Sequence, residues 1–269
     1  MQASLGWVPP TGTLGEILAA TRIRVAALES RPSMGPGRSS RPALAASLRQ
    51  DTVAVIAEVK RKSPSKGEIN PGLGAGAQAA RYEAGGAAAV SILTEPSRFG
   101  GDTRDLDDAA GATRLPLIKK DFHIATAQVA EAAASPASAI LLIARAVPPE
   151  TLLELMAECG RVGLEALVQV RSEDELDLAV SGGATIIGVN SRDLETLEVD
   201  ESVPDRLIPR IPAGIIAVWE SGVKTVEDVR RAARAGADAV LVGSELSRSA
   251  DPEGLVRSLA AVPREARRG

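Results

Sequence analysis

Short runs of aliphatic and β-branched residues recur along the chain, and the stretches between them return their apolar positions at helical spacing. Runs of that length bounded by glycine or charge predict buried strands, and the intervening stretches predict amphipathic helices. Eight strands can be drawn: Val53 to Lys60, Ala88 to Leu93, Leu117 to Lys120, Ser138 to Ile143, Leu164 to Val170, Thr185 to Asn190, Ile215 to Trp219 and Ala239 to Val242. Helices are expected over Ala75 to Glu83, Thr126 to Ala134, Pro149 to Cys159, Ser172 to Val180, Thr225 to Ala235 and Pro252 to Ala261. Ser172 with Glu175, and Thr225 with Asp228, have the spacing of capping boxes. The pairs Gly86-Ala87, Gly183-Ala184 and Gly236-Ala237 precede strands, which suggests one helix-to-strand turn used repeatedly. Strands alternating with helices predict a parallel sheet, and eight repeats favour an α/β fold of the closed (β/α)8, or TIM, barrel type.

An extra helix is expected ahead of the first strand, over Leu14 to Glu29, followed by a Pro/Gly/Ser-rich basic stretch from Arg31 to Pro42. That composition predicts a flexible connector, with a mobile lid as the functional alternative. The expected division is an N-terminal extension over 1–48 and a single barrel domain over 49–269.

Alternation in the first strand puts Glu58 and Lys60 on the same face as Ala54 and Ile56, toward the barrel interior. An unpaired charge there would cost several kcal/mol, roughly, so the two must pair, sit at a wet mouth or serve a ligand.

Composition narrows the partners. The 269 residues are 45% hydrophobic and 25% charged, enough for a large single core. A net charge of -4 argues against general nucleic-acid or membrane-surface binding. The lone cysteine, Cys159, excludes an internal disulfide and leaves no thiolate cluster for zinc. No apolar run reaches membrane-spanning length and no signal peptide is evident, so a cytoplasmic protein is expected.

A barrel gathers its chemistry where strands hand over to helices. Strand one ends with Glu58 and Lys60, strand two runs into Thr94-Glu95-Pro96-Ser97-Arg98-Phe99, strand three ends Lys119-Lys120-Asp121-Phe122, and strand six ends Asn190-Ser191-Arg192-Asp193. In a chain with two Trp, one Tyr and two Phe, finding both phenylalanines at strand ends points to walls for a flat apolar ligand, with core packing the alternative. Glu220-Ser221-Gly222 after strand seven and Gly243-Ser244 after strand eight sit where barrels bind phosphate through backbone N–H groups.

The run Ile56-Ala57-Glu58-Val59-Lys60-Arg61-Lys62-Ser63-Pro64-Ser65 resembles the signature of indole-3-glycerol phosphate synthase. Further similarities follow in order through Leu93-Thr94-Glu95, Phe99, Lys120-Asp121-Phe122, Leu141-Leu142-Ile143, Gly188 to Leu194, Glu220-Ser221-Gly222 and Val242-Gly243-Ser244. The resemblance covers nearly the whole chain from about Leu14 onward. It implies closure of 1-(2-carboxyphenylamino)-1-deoxyribulose 5-phosphate to indole-3-glycerol phosphate with loss of carbon dioxide and water, without cofactor or metal.

Carried over residue by residue, the resemblance makes Lys120 the general acid of ring closure and Lys60 a second essential lysine, oriented by Glu58. Asn190, Arg192 and Ser63 match positions holding the anthranilate and carboxylate end; Phe99 and Phe122 match the apolar walls; Ser221, Gly222, Gly243 and Ser244 match the phosphate cradle. Two ammonium groups at one mouth are expected to depress each other's pKa. The small-molecule phosphosugar would be the partner, with no nucleic acid or membrane, in a monomer or homodimer.

One departure bears on chemistry. Leu167-Val168-Gln169-Val170 places Gln169 where the family carries an acid/base glutamate, and an amide cannot accept a proton there. Binding should then survive better than turnover unless Glu58 takes the proton traffic. Trp219 and Glu245 are further oddities expected to narrow or reshape the pocket. The single histidine, His123, is expected to face away from the chemistry. Gln169 and Trp219 keep a paralogue with altered substrate or slowed turnover as the alternative, with a non-catalytic phosphosugar-binding protein as the third.

Overall fold

The computed structural model describes residues 6–30 and 41–267, and most of the connector expected from Arg31 to Pro42 therefore lies outside the described residues. Eight parallel strands close into a barrel: β1 (Ala54–Val59), β2 (Ala89–Leu93), β3 (Leu117–Lys120), β4 (Ala139–Ile143), β5 (Glu165–Val170), β6 (Ile186–Asn190), β7 (Ile216–Glu220) and β8 (Ala239–Val242). The ring is sealed by β1 against β8, with Ile56 opposite Leu241. All eight expected strands are present to within about one residue at either end. Their unbroken apolar runs follow from burial on both faces, by side chains inside the barrel and by helices outside.

The expected helices form, and the structure adds Arg104–Ala112, which buries Leu106 and Ala109 but is too rich in acidic and small residues to announce itself by periodicity. The repeated Gly-Ala turn is real. Gly86, Gly183 and Gly236 have φ of 90°, 81° and 86°, a region where a side chain is strained. At each, the following alanine N–H reaches back to a carbonyl in the helix end: Ala87 to Tyr82, Ala184 to Ala179 and Ala237 to Ala232. This is the Schellman closure that satisfies otherwise orphaned helix carbonyls. Thr225 and Asp228 form the expected capping box. Ser172 caps its helix by accepting from Glu175 N–H, but the Glu175 carboxylate takes the N–H of Arg171, one residue earlier than the expected pattern.

The N-terminal helix, Gly12–Glu29, buries Leu14, Ile17, Leu18, Thr21 and Val25, the spacing of one helical face. Two contacts fix it across the barrel mouth. Thr13 N–H donates to Glu195 O at 3.1 Å, and Arg24 grips Asp121 through two hydrogen bonds of 2.8 and 3.1 Å. Among the described residues no helix is long and apolar enough to cross a membrane.

Candidate active site

The carboxyl ends of the strands open into a cavity of about 290 Å³, and every residue expected in the site lines it. Its floor is a row of charges. Glu58, wholly buried on β1, lies 2.5 Å from the Lys60 ammonium and 2.8 Å from that of Lys120 on β3. On the far side of Lys120, 3.9 Å away, stands the Glu220 carboxylate of β7. Gly243 leaves room for this row: a Cβ there would stand 2.2 Å from Glu58 Oε1.

Burial alone would raise the Glu58 pKa, but Lys120 and Lys60 outweigh it and hold the carboxylate down at about 2. Burial lowers the Lys60 pKa, aided by Lys120 and Arg192 and only partly opposed by Glu58. Lys120 departs from the expected mutual depression. Burial works against its charge, yet Glu58 and then Glu220 more than compensate, and its pKa is raised.

Glu220 is a buried carboxyl beside Lys120 that the sequence reading placed only within a phosphate motif. It is 1% exposed, neither of its oxygens accepts a hydrogen bond, and burial lifts its pKa to about 7, with Glu58 adding to the rise against Lys120 and Lys60. The signal was the phase of β7: Glu220 shares a face with Val218 and Ile216, and the adjacent Trp219 must point the other way.

Trp219 accordingly does not narrow the pocket. It packs outside the barrel, with the Arg231 guanidinium 5.5 Å from its ring centroid, and its indole N–H donates to Ser221 O at 3.2 Å. That bond braces the Ser221-Gly222 turn from behind. Ser221 (φ 66°) and Gly222 (φ 81°) are successive left-handed residues, a backbone conformation that is costly for serine. Glu245 does line the cavity, paired with Lys66.

Phe99 and Phe122 both line the cavity, their rings 6.1 Å apart and tilted by 37°. Phe99 ends a single helical turn, Pro96–Phe99, whose N–H groups of Ser97, Arg98 and Phe99 are all collected by the buried Glu95 carboxylate. Phe122 is held through Asp121, whose carboxylate accepts from Phe122 N–H, Arg24 and the Thr94 hydroxyl. Asn190 accepts the Arg192 N–H, and the Arg192 guanidinium donates to Leu197 O. Ser63 receives the Lys66 N–H. Gln169 faces the cavity from β5. His123 is turned away and buried, its Nδ1 against Leu141 O at 2.8 Å, and burial with Lys119 nearby pushes its pKa down to about 4. Among the described residues no cluster of histidine, cysteine or carboxylate side chains is placed to hold a metal ion.

Comparison with known proteins agrees with this geometry. A sequence model of the indole-3-glycerol phosphate synthase family matches residues 14–259. The chain is 43% identical over 252 residues to indole-3-glycerol phosphate synthase of Mycobacteroides abscessus, covering 91% of this chain and 93% of that one. It is 44% identical to indole-3-glycerol phosphate synthase 1 of Streptomyces coelicolor, covering 92% and 94%. Among solved structures, tryptophan synthase from M. tuberculosis superposes with a TM-score of 0.62 at 14% identity, over 85% of this chain and 99% of that one. 3-Hexulose-6-phosphate synthase from Salmonella typhimurium superposes with a TM-score of 0.60 at 13% identity, over 77% and 97%. Those two likenesses are of fold.

Proposed function

The chain belongs to the indole-3-glycerol phosphate synthase family, and on that premise we propose how its barrel mouth carries out the reaction. The enzyme is a carboxy-lyase of tryptophan biosynthesis: it converts 1-(2-carboxyphenylamino)-1-deoxyribulose 5-phosphate to indole-3-glycerol phosphate, carbon dioxide and water.

In our reading the aryl ring sits against Phe99 and Phe122, its carboxylate toward Arg192 and Asn190, with the phosphate at Ser221-Gly222 and Gly243-Ser244. Ser63 closes the near side. Lys120 gives a proton to the ketone oxygen as the aryl carbon bearing the carboxylate attacks the ketone carbon. The bond to the carboxylate then breaks, and its electron pair restores the aromatic ring as carbon dioxide departs. The new hydroxyl leaves as water with a proton from Lys60, and the methylene carbon beside the nitrogen gives up a proton to complete the indole.

The acceptor of that last proton is the point on which Gln169 bears. Its amide cannot serve, and Glu58, held at about 2 by two lysines, is a poor base. The amine that the first step leaves on Lys120 is in the same array, so accepting the methylene proton would return Lys120 to its ammonium form. The net demand is one proton from solvent through Lys60.

The observation that carries this reading is the single buried carboxylate of Glu58 in contact with both lysines at the cavity floor. Steady-state turnover of the carboxyphenylamino-deoxyribulose phosphate, followed by indole fluorescence, tests it. Absence of product from a protein that still binds phosphate would favour the alternative that Gln169 raises, a paralogue with a different substrate. A cytoplasmic location belongs to the same proposal, since the substrate is a phosphorylated biosynthetic intermediate.

A further inference from the structure

The end of β1 continues into a small antiparallel hairpin in which Lys62–Ser63 pairs with Gly67–Glu68. Its base is fixed, because Arg61 O accepts the N–H groups of both Ile69 and Asn70, at 2.8 and 3.1 Å. Lys66 sits at the turn, its N–H on the Ser63 hydroxyl. From there its side chain crosses the mouth to the residue after Ser244, and its ammonium meets Glu245 Oε1 at 3.1 Å. Both side chains line the cavity at its phosphate end.

A carboxylate beside a phosphate cradle is adverse, since it repels the dianion the cradle is built to hold. Glu201, the other carboxylate on this rim, is already committed to Arg231 at 2.7 Å. Glu245 has Lys66. The two side chains are 29% and 31% exposed, and a pair that open to solvent holds loosely. A doubly charged oxyanion a short swing away competes well for the ammonium, because charge-assisted hydrogen bonds to phosphate are among the strongest available in a protein.

We propose that Lys66 is the ammonium that neutralises the substrate's phosphate, and that Glu245 holds it beside the empty cradle and surrenders it when phosphate arrives. This rests on the reading of the site given above. Lys66 then sets the preference for a phosphorylated sugar over a neutral one, and Glu245 weakens phosphate binding enough for product to leave.

The test uses the full chain in two assays: turnover of the named substrate, and the dissociation constant of inorganic phosphate obtained from the rise of the thermal midpoint with phosphate concentration. Lys66→Met should raise KM by about tenfold while leaving kcat within about twofold, since the lost contact is made equally in ground and transition states. The phosphate dissociation constant should rise in parallel. Glu245→Gln should shift both quantities the other way, and the double variant should return close to wild type because the rim charge is restored. Unchanged KM and phosphate protection in Lys66→Met would overturn the proposal, as would a double variant no better than Lys66→Met alone. A wild-type protein that fails to turn over the substrate, yet whose phosphate protection depends on Lys66, would instead sink the assigned reaction and leave this inference standing.

Discussion

The Glu220 carboxylate occupies the space that a side chain on Gly188 would fill: a Cβ built on Gly188 of β6 lies 1.9 Å from Glu220 Oε1. The absence of a side chain on one strand is what lets its neighbour place a charge beside Lys120. Gly188→Ala should therefore do two things together. Overpacking should cost about 1–3 kcal/mol, and kcat should fall as Glu220 is pushed from its station. Chemical denaturation and turnover measured on one preparation check both, and a variant with wild-type kcat would detach Glu220 from the function of Lys120.

Glu220 should also leave a mark on the pH dependence of stability. Its pKa is raised in the folded protein from the ordinary 4.5 to about 7. The neutral carboxyl is accommodated without penalty below 4.5, and stability is lost as pH rises through about 7 and the buried group ionises. The shift corresponds to roughly 3 kcal/mol. Glu220→Gln, which cannot ionise, should gain on wild type by about that much between pH 4.5 and pH 8, read from unfolding midpoints. Equal curves for the two proteins at both pH values would show that the carboxyl titrates normally.

Lys120→Met should abolish ring closure, with kcat down by about two orders of magnitude or more, the scale of a lost general acid. Because the proposed phosphate cradle is built from other strands, protection of the variant against heating by inorganic phosphate should persist. Retained turnover would remove Lys120 from the acid role.

Gln169→Glu supplies a carboxylate where an amide now faces the cavity. A dedicated proton acceptor should relieve Lys120 of its second duty and raise kcat by about tenfold with KM little changed. A lower or unchanged kcat would mean that the lysine recovers its proton without help, and that the amide costs this enzyme nothing.

The fold was legible because its strands are buried on both faces and its turns repeat. The helix Arg104–Ala112 was not, since one of the three positions it buries is the charged Asp105 and the other two, Leu106 and Ala109, are set among Asp107, Asp108 and small residues. The residues expected to catalyse or to bind substrate all line the cavity, because motif order and strand phase both address the same end of the barrel. What the chain conceals is charge coupling between strands distant in sequence. The pKa of Lys120 is raised rather than lowered by Glu58 and then Glu220, which lie far from it in the chain on either side, and no local pattern carries that relation. Trp219 misled for a simpler reason. Its place next to the phosphate motif suggested the pocket, while the period of two assigned the inward face to Glu220.

The seam between β1 and β8 joins Ala54 to Ala239, 185 positions later. A chain emerging from the ribosome holds Glu58, Lys60 and Lys120 long before Gly243 and Ser244 exist. Until the last strand arrives, the growing sheet has two unpaired margins, each able to recruit a strand from another chain. A product truncated before β8 would therefore be both inert and prone to aggregate, and the step that brings Gly243 and Ser244 to the mouth is the same step that seals the molecule against its neighbours.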